Sequence, residues 1–304
     1  MAYVSVVFVN VMWGLSFIAS KYALESGFSP FMLALMRYAV TCALLIPLLW
    51  RRMGGFKFPK RGLGMLVVSA LTGVSLYFLF EYEGLSRTSP SSAALIVAAI
   101  PAFSLLWQVL RNKKRYKAAC YAGIAASLAG VMLVVGLGGE GDSALGNLLM
   151  LGACFCWVAY LETSGALQKR MGFDSYQLTV WQSLIGLITL FPFALVEQAL
   201  TDPEKRFQLT QVTPVGWVSM FFLAAVCSAL CYILYNQSIR DLSPLRTSLF
   251  LNLNPVTALA ADVLMRGTKP SLSQLIGGAV ILISIFVVNR SMRKTTDVSR
   301  VQSV

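Results

Sequence analysis

Residues 76–107 decide the fold and read LYFLFEYEGLSRTSPSSAALIVAAIPAFSLLW. They begin inside an apolar segment that carries two acids, Glu81 and Glu83. A second apolar segment starts at Pro90 and contains Pro101 in its interior. Proline fits the first turn of a helix but interrupts a helix interior, so the stretch predicts two consecutive helices, the second of them broken.

The same layout returns at residues 230–263, LCYILYNQSIRDLSPLRTSLFLNLNPVTALAADV. Pro244 and Pro255 are eleven positions apart, as the two prolines of the first copy are. Asn236 stands eight positions before its proline, where Glu81 stands nine before its own. A polar, proline-interrupted helix pair that occurs twice is the main indication of function.

The composition is that of an integral membrane protein. The 304 residues are 57% hydrophobic and 12% charged, about half the charged fraction of a soluble domain. Apolar blocks of roughly 18 to 22 residues can each cross a bilayer core of about 30 Å as a helix. We therefore predict an all-α fold of ten transmembrane helices. The predicted spans are residues 2–22, 31–50, 63–83, 90–110, 118–136, 145–168, 176–196, 213–239, 244–265 and 272–289.

The net charge of +12 reflects membrane topology rather than nucleic-acid binding, because the basic residues sit in short loops. Apart from Arg37 within span 2, 18 of the lysines and arginines fall on one side and 6 on the other. The positive-inside rule then places both termini in the cytoplasm, in a multi-pass protein of the cell membrane surrounded by lipid. The first span has no basic region or cleavage site before it, so we expect it to remain uncleaved.

Several kinds of chemistry are excluded. The chain has no histidine, and its six cysteines lie in apolar segments without a C-x-x-C spacing. They are typical of small packing residues, so we predict no metal site. No Walker motif or G-x-S-x-G motif occurs, and we predict no cofactor, no ATP-driven pump and no enzyme.

The repeat extends over most of the chain. Trp13 and Trp157 are 144 positions apart, and the two prolines of the helix pair repeat at an offset of 154. We divide the chain into a first repeat, residues 1–139, and a second repeat, residues 140–304. Each holds five spans, and because five is odd the second copy is inverted in the membrane. Inverted repeats are typical of transporters that work by alternating access.

Six motifs, spread over nearly the whole chain, resemble those of the drug/metabolite transporter superfamily and its EamA-type exporters. They are N-x-M-W-G-L-S-F at Asn10–Phe17, L-x-x-M-R-Y at Leu33–Tyr38, YFLFEYEGLSRTSPSSAALI at Tyr77–Ile96, YNQSI at Tyr235–Ile239, TSLFLNLNPV at Thr247–Val256 and QLIGGA at Gln274–Ala279. The resemblance implies a central cavity formed by spans 1, 3, 4, 6, 8 and 9. A Gly-Glu pair frequent in the family after spans 4 and 9 is replaced here by Lys113-Lys114 and Gly267-Thr268, so no role of that glutamate is carried over.

Glu81 is the main candidate for a functional charge. A carboxylate in the middle of the bilayer costs about 2.5–3.5 kcal/mol on insertion scales, and such residues usually face an internal cavity. Tyr77 lies four residues earlier, on the same helix face. We interpret Glu81 as a site for a substrate amine or a proton. The alternative is a neutral or paired carboxyl that fixes helix contacts.

Aromatic residues occupy matching places in the two halves. Trp13 shares a helix face with Phe17, and Trp157 lies close to Tyr160 in the second half. We expect the equivalent positions to meet and to form an aromatic wall for an apolar or cationic substrate. Packing between helices is the alternative.

Polar residues of the second half complete the predicted substrate site. Tyr232 and Asn236 are four apart, as Tyr77 and Glu81 are. Asn252 and Asn254 precede Pro255, whose ring frees the backbone carbonyl of Leu251. That carbonyl and an amide side chain could bind substrate, and of the two asparagines we take Asn252 as the site residue. Local repair of the proline kink is the alternative.

We expect the remaining charges near or within the spans to be structural or solvated. For Arg37, whose repeat position holds Gln182, a structural role is favoured. Asp262 lies near the outer end of span 9, and we expect it to be solvated, as we do Glu83. Glu162 remains open between structure and function.

These features predict a secondary transporter that exports small metabolites, such as amino acids or similar amphipathic compounds, by alternating access, with protons as a candidate coupling ion. An uncoupled facilitator or channel remains an alternative. An intramembrane enzyme or lipid-handling scaffold is a further alternative, but it requires a catalytic constellation that the sequence does not show.

Overall fold

The computed structural model describes residues 2–53, 61–112, 118–137 and 142–301, which form an all-α bundle. The lysine-rich segments 54–60 and 113–117, Glu140 and the predicted repeat boundary at 139/140 lie outside the described residues. The bundle is built from ten helical segments. They are α1 (Ala2–Glu25), α2 (Pro30–Met53), α3 (Leu63–Ser86), α4 (Pro90–Arg111), α5 (Ala118–Leu137), α6 (Ala144–Met171), α7 (Ser175–Leu200), α8 (Pro214–Leu242), α9 (Pro244–Arg266) and α10 (Leu272–Val301).

The helix ends follow local sequence signals. Ser89 caps α4 by accepting a hydrogen bond from the Ser92 backbone N–H, with Pro90 in the first turn. Thr213 caps α8 in the same way, again before a proline. Gly172 ends α6 with a φ of 72°, a left-handed conformation that glycine adopts without strain. The predicted ends lie close to the observed ones for this reason.

Four of the long helices are locally irregular. In α3 and α8, π-helical turns occupy Leu71–Ser75 and Leu223–Leu230, equivalent places in the two halves. In α9, a 3₁₀ turn at Leu249–Asn252 precedes Pro255, and α4 is interrupted before Pro101. Such turns are frequent at functional sites because they change which residues face inward.

Eight of the ten helices are long and apolar enough to cross a bilayer, and α5 and α10 each contain a shorter apolar helix within the described residues. The outer faces are apolar and exposed, as at Ile188, Phe191 and Leu195 of α7. A face of that kind is suited to lipid rather than water. The structure therefore confirms the predicted all-α membrane fold.

The halves pack on one another through their first, third and fourth helices. Helix α1 packs against α8 and α9, while its counterpart α6 packs against α3 and α4. Helix α2 packs against α7, and α5 against α10. This reciprocal pattern places α1, α3, α4, α6, α8 and α9 around the centre, where the site lies.

Candidate substrate cavity

A cavity lies at the centre of the bundle, between the two halves. The empty space among its side chains is about 370 Å³, including the space at its opening. All of the lining residues are less than one-tenth exposed, so the structure shows the cavity nearly closed. The lining residues are Trp13, Ser16, Phe17, Arg37, Tyr77, Phe78, Glu81, Val97, Ile100, Trp157, Tyr232, Leu251 and Asn254.

Four aromatic residues, two from each half, form the wall of the cavity where the halves meet. The rings of Trp13 and Trp157 meet edge to face, with centroids 5.3 Å apart. Tyr77 lies 4.7 Å from Trp157, and Tyr232 lies 5.6 Å from Trp13, between ring centroids. The prediction that equivalent aromatic positions meet is confirmed for the two tryptophans.

The π-helical turns hold this wall in place. The Trp13 indole N–H donates to the Cys227 carbonyl at 3.0 Å. The Tyr232 hydroxyl donates to the Gly73 carbonyl at 2.9 Å. Both acceptors lie in the π-helical turns of α8 and α3. Each irregular turn therefore fixes an aromatic ring that comes from another helix.

Glu81 lies in the cavity lining on α3 and is 3% exposed. Its Oε2 atom has no hydrogen-bond partner within the described residues, and no lysine or arginine of the described chain lies within ion-pair distance of it. A buried carboxyl oxygen that is not satisfied by the protein is costly. Glu81 is therefore available to a cation, a hydrogen-bond donor or a proton from outside the chain.

Arg37 is a second buried charge in the lining, and the sequence did not single it out as a site residue. Its Nε donates to Ser228 Oγ at 2.6 Å, and its Nη1 donates to Tyr82 Oη at 2.6 Å. The guanidinium carbon lies 4.3 Å from the centre of the Phe78 ring. These contacts join α2 to α3 and α8, which supports the structural role, and they also hold a positive charge beside the cavity.

Tyr160 and Asn236 lie outside the lining, in a buried polar network next to it. Tyr160 Oη donates to Asn236 Oδ1 at 3.0 Å, and Asn236 Nδ2 donates to Gln182 Oε1 at 3.1 Å. Gln182 Nε2 in turn donates to Ser69 Oγ at 2.7 Å and Ser164 Oγ at 2.9 Å. Because their polar groups already have partners in the protein, these two predicted site residues support the cavity from behind.

The hydrogen bonds of Arg37 and those of the polar network are counterparts in the two halves. Gln182 follows Arg37 by 145 positions, and Asn236 follows Tyr82 by 154, the offsets of the repeat. The Arg37–Tyr82 bond therefore corresponds to the Gln182–Asn236 bond. Both halves therefore contain a hydrogen bond at this place, but only the first half has a charged residue in it.

In α9 the structure brings Asn254, rather than the predicted Asn252, into the cavity. Asn254 is 2% exposed, and its Oδ1 has no hydrogen-bond partner within the described residues. Asn252 lies in the 3₁₀ turn, partly buried but outside the lining. The changed twist of that turn explains the difference, since it alters which residue faces inward.

The remaining charges are placed as follows. The expectation that Asp262 is solvated is wrong: the residue is 1% exposed and accepts a hydrogen bond from Ser91. Glu83 is partly exposed and forms an ion pair with Arg87, the residue that follows α3. Glu162 is partly buried and accepts a 3.4 Å hydrogen bond from Gln108. The part of the chain that the structure describes contains no group of three or more residues suited to a metal ion.

Comparisons with known proteins agree with this architecture. The model of the EamA-like transporter family matches residues 1–136 and 144–290. An uncharacterized transporter of Archaeoglobus fulgidus is 24% identical, covering 91% of this chain and 93% of its own. The uncharacterized transporter YyaM of Bacillus subtilis is 26% identical over 96% of this chain and 94% of its own.

Two further similarities are to a curated exporter and to a solved structure. A probable terminal-alkyne amino-acid exporter of Streptantibioticus cattleyicolor is 25% identical, covering 94% of this chain and 92% of its own. A protein of known crystal structure, 17% identical, superimposes with a TM-score of 0.66 over 94% of this chain and 96% of its own. That structural likeness extends to the fold alone.

Proposed function

We propose that this chain, which belongs to the EamA-like transporter family, is a secondary active transporter that exports small amphipathic metabolites. The observation that supports this most is the central cavity, in which buried aromatic rings surround a carboxyl group whose Oε2 atom has no hydrogen-bond partner in the described chain. The family and the names of its relatives indicate transport rather than catalysis.

The lining favours a zwitterionic substrate with an apolar side group, such as an amino acid. Arg37 and Glu81 have opposite charges and face the same cavity, and neither forms an ion pair within the described residues. A substrate carboxylate would lie near Arg37 and a substrate amine near Glu81. The aromatic wall would hold the apolar part. The amino-acid exporter among the relatives is consistent with this class of substrate.

Transport would proceed by alternating access. The cavity is shared by two halves with equivalent packing, α1 on α8 and α9 in one, α6 on α3 and α4 in the other. Exchange of the two arrangements would open the cavity first to one side of the membrane and then to the other. We place both termini in the cytoplasm, so that the basic loops would lie on the cytoplasmic face of the plasma membrane.

Glu81 is the proposed coupling residue. The Glu81 carboxyl group would bind a proton in one state and a substrate amine in the other, but never both at once. Proton entry would therefore drive substrate exit. The arrangement requires that no internal cation neutralise Glu81, and the described residues place none within ion-pair distance.

A matched ligand series tests the substrate class. Phenylalanine, phenethylamine and 3-phenylpropanoate share one ring but carry both charges, only the amine, or only the carboxylate. Thermal stabilisation of the purified protein, followed by counterflow in proteoliposomes, should rank phenylalanine first. Arg37→Gln should abolish its advantage over phenethylamine, and Glu81→Gln its advantage over 3-phenylpropanoate. Equal responses to all three compounds would contradict a zwitterion site.

A further inference from the structure

A cluster of charged and polar residues joins α1, α4 and α9 at one end of the bundle. Arg266 of α9 donates from Nη1 and Nη2 to the two carboxylate oxygens of Glu25 in α1, at 2.7 and 2.9 Å. Arg266 Nε lies 3.4 Å from Asp262 Oδ1. The other oxygen of Asp262 accepts from Ser91 Oγ of α4 at 2.5 Å. We call Glu25, Arg266, Asp262 and Ser91 the latch.

The latch lies directly beyond the cavity. Glu25 follows the lining residue Phe17 by eight positions, and Asp262 follows the lining residue Asn254 by eight. At about 1.5 Å per residue, both helices carry the latch about 12 Å from the cavity in the same direction. The three helices that the latch joins are three of those that line the cavity.

The counterpart of the latch at the opposite end has other chemistry. By the repeat offset of 154, Gln108 of α4 is the counterpart of Asp262. Gln108 Nε2 donates to Glu162 Oε1 of α6 at 3.4 Å. An amide therefore stands in the first half where the latch has a carboxylate.

From these contacts we infer that the latch is a gate, which keeps the outer end of the cavity closed at rest. Opening the outer end requires α1 and α9 to separate, which breaks both bonds of the Arg266–Glu25 pair. A transporter that rests ready to load from the cytoplasm is suited to export.

Asp262 makes the gate dependent on Arg266. The Asp262 carboxyl is buried, and its Oδ1 faces the guanidinium without another partner in the described chain. Removal of the arginine leaves this carboxyl without its cation, and a buried charge that has lost its partner favours any conformation that hydrates it. That conformation is the one with the outer end open.

Thiol labelling tests the gate. The gate rests on the proposed alternating-access function, whereas the labelling rates can be measured without it. Ser16→Cys places a reporter in the cavity lining with little change in volume. Its reaction rate with a membrane-impermeant methanethiosulfonate is measured from outside, in whole cells, and from inside, in inverted vesicles. The protein without this substitution gives the background from the native cysteines.

Arg266→Gln should raise the outside labelling rate about tenfold and lower the inside rate. Arg266→Lys keeps the charge but not the paired bonds. Its outside labelling rate should lie between the rates with Arg266 and with Arg266→Gln. Glu83→Gln breaks an ion pair at the end of α3 and should change neither rate. If Arg266→Gln fails to fold, Glu25→Gln, at the partly exposed end of the same pair, decides the question.

The gate would be overturned if folded Arg266→Gln or Glu25→Gln showed an unchanged outside labelling rate. It would also be overturned if only the inside labelling rate increased. Because labelling needs no substrate, the outcome is independent of whether the zwitterion series succeeds.

Discussion

The indole rings of Trp13 and Trp157 meet edge to face at the centre of the bundle, with their centroids 5.3 Å apart. The two residues are 144 positions apart and hold the same place in the two halves. Each also contacts a tyrosine that lines the cavity, Tyr232 for Trp13 and Tyr77 for Trp157. The wall of the cavity is therefore made by both halves together, and neither half has a complete site alone.

The first prediction concerns this wall. Trp157→Ala should weaken the apparent substrate affinity about tenfold, because the ring supplies stacking area and contacts to the neighbouring aromatic residues. The measurement is the substrate concentration at half-maximal counterflow in proteoliposomes. Phe191→Ala removes a ring from the apolar outer face of α7 and should leave the affinity unchanged. Equal effects of the two variants would indicate that the wall does not contact substrate.

The second prediction concerns the close approach of α3 and α6. A methyl group on Gly73 would overlap the ring of Tyr160, whereas one on Gly64 would meet nothing within 4 Å. Gly73→Ala should therefore destabilise the protein by about 1–3 kcal/mol, as overpacking does. Gly64→Ala should be neutral or slightly stabilising. Thermal unfolding in detergent compares the two, and a normal Tm for Gly73→Ala would contradict the packing.

The third prediction concerns the anchoring of Arg37. Tyr82→Phe removes the acceptor of one Arg37 bond and leaves a buried cationic donor without its partner. The loss should cost about 1.5–3 kcal/mol of stability, the range for hydrogen bonds to charged groups. Tyr3→Phe makes the same change at an exposed position and serves as the control. Equal stabilities of the two variants would show that the bond contributes nothing.

Large features of the fold follow from the sequence because the bilayer admits few solutions. Apolar length predicted the helices, and prolines such as Pro90 and Pro244 predicted where they begin. The repeat offset predicted that Trp13 and Trp157 meet. Each of these signals depends on spacing over many residues and tolerates an error of one position.

The details of the site depend on single residues and were harder to predict. The 3₁₀ turn before Pro255 decides that Asn254 and not Asn252 faces the cavity. Asp262 was expected to be solvated because it is near a helix end, but it is buried beside Arg266, a contact between helices that periodicity does not show. For Arg37, a charge within an apolar span was the available signal, and the same signal had identified Glu81.

The fourth prediction concerns topology. If both termini are cytoplasmic, an epitope tag after Val304 should resist protease added to whole cells and be removed in inverted vesicles. A tag inserted in the loop near Asp202, between α7 and α8, should behave in the opposite way. Removal of the C-terminal tag in intact cells would reverse the orientation, and with it the assignment of the latch to the outside.

The central claim is that Glu81 couples substrate movement to protons in the shared cavity. Glu81→Gln keeps the shape of the side chain and removes its charge and its exchangeable proton. In proteoliposomes loaded with phenylalanine at a concentration that saturates the weakened site, the variant should lose flux driven by an imposed pH gradient and keep counterflow, which needs no driving ion. Glu83→Gln, which changes a partly exposed carboxyl outside the cavity, is the matched control and should retain both activities. Gradient-driven flux in Glu81→Gln equal to that of the unmodified protein would contradict the account.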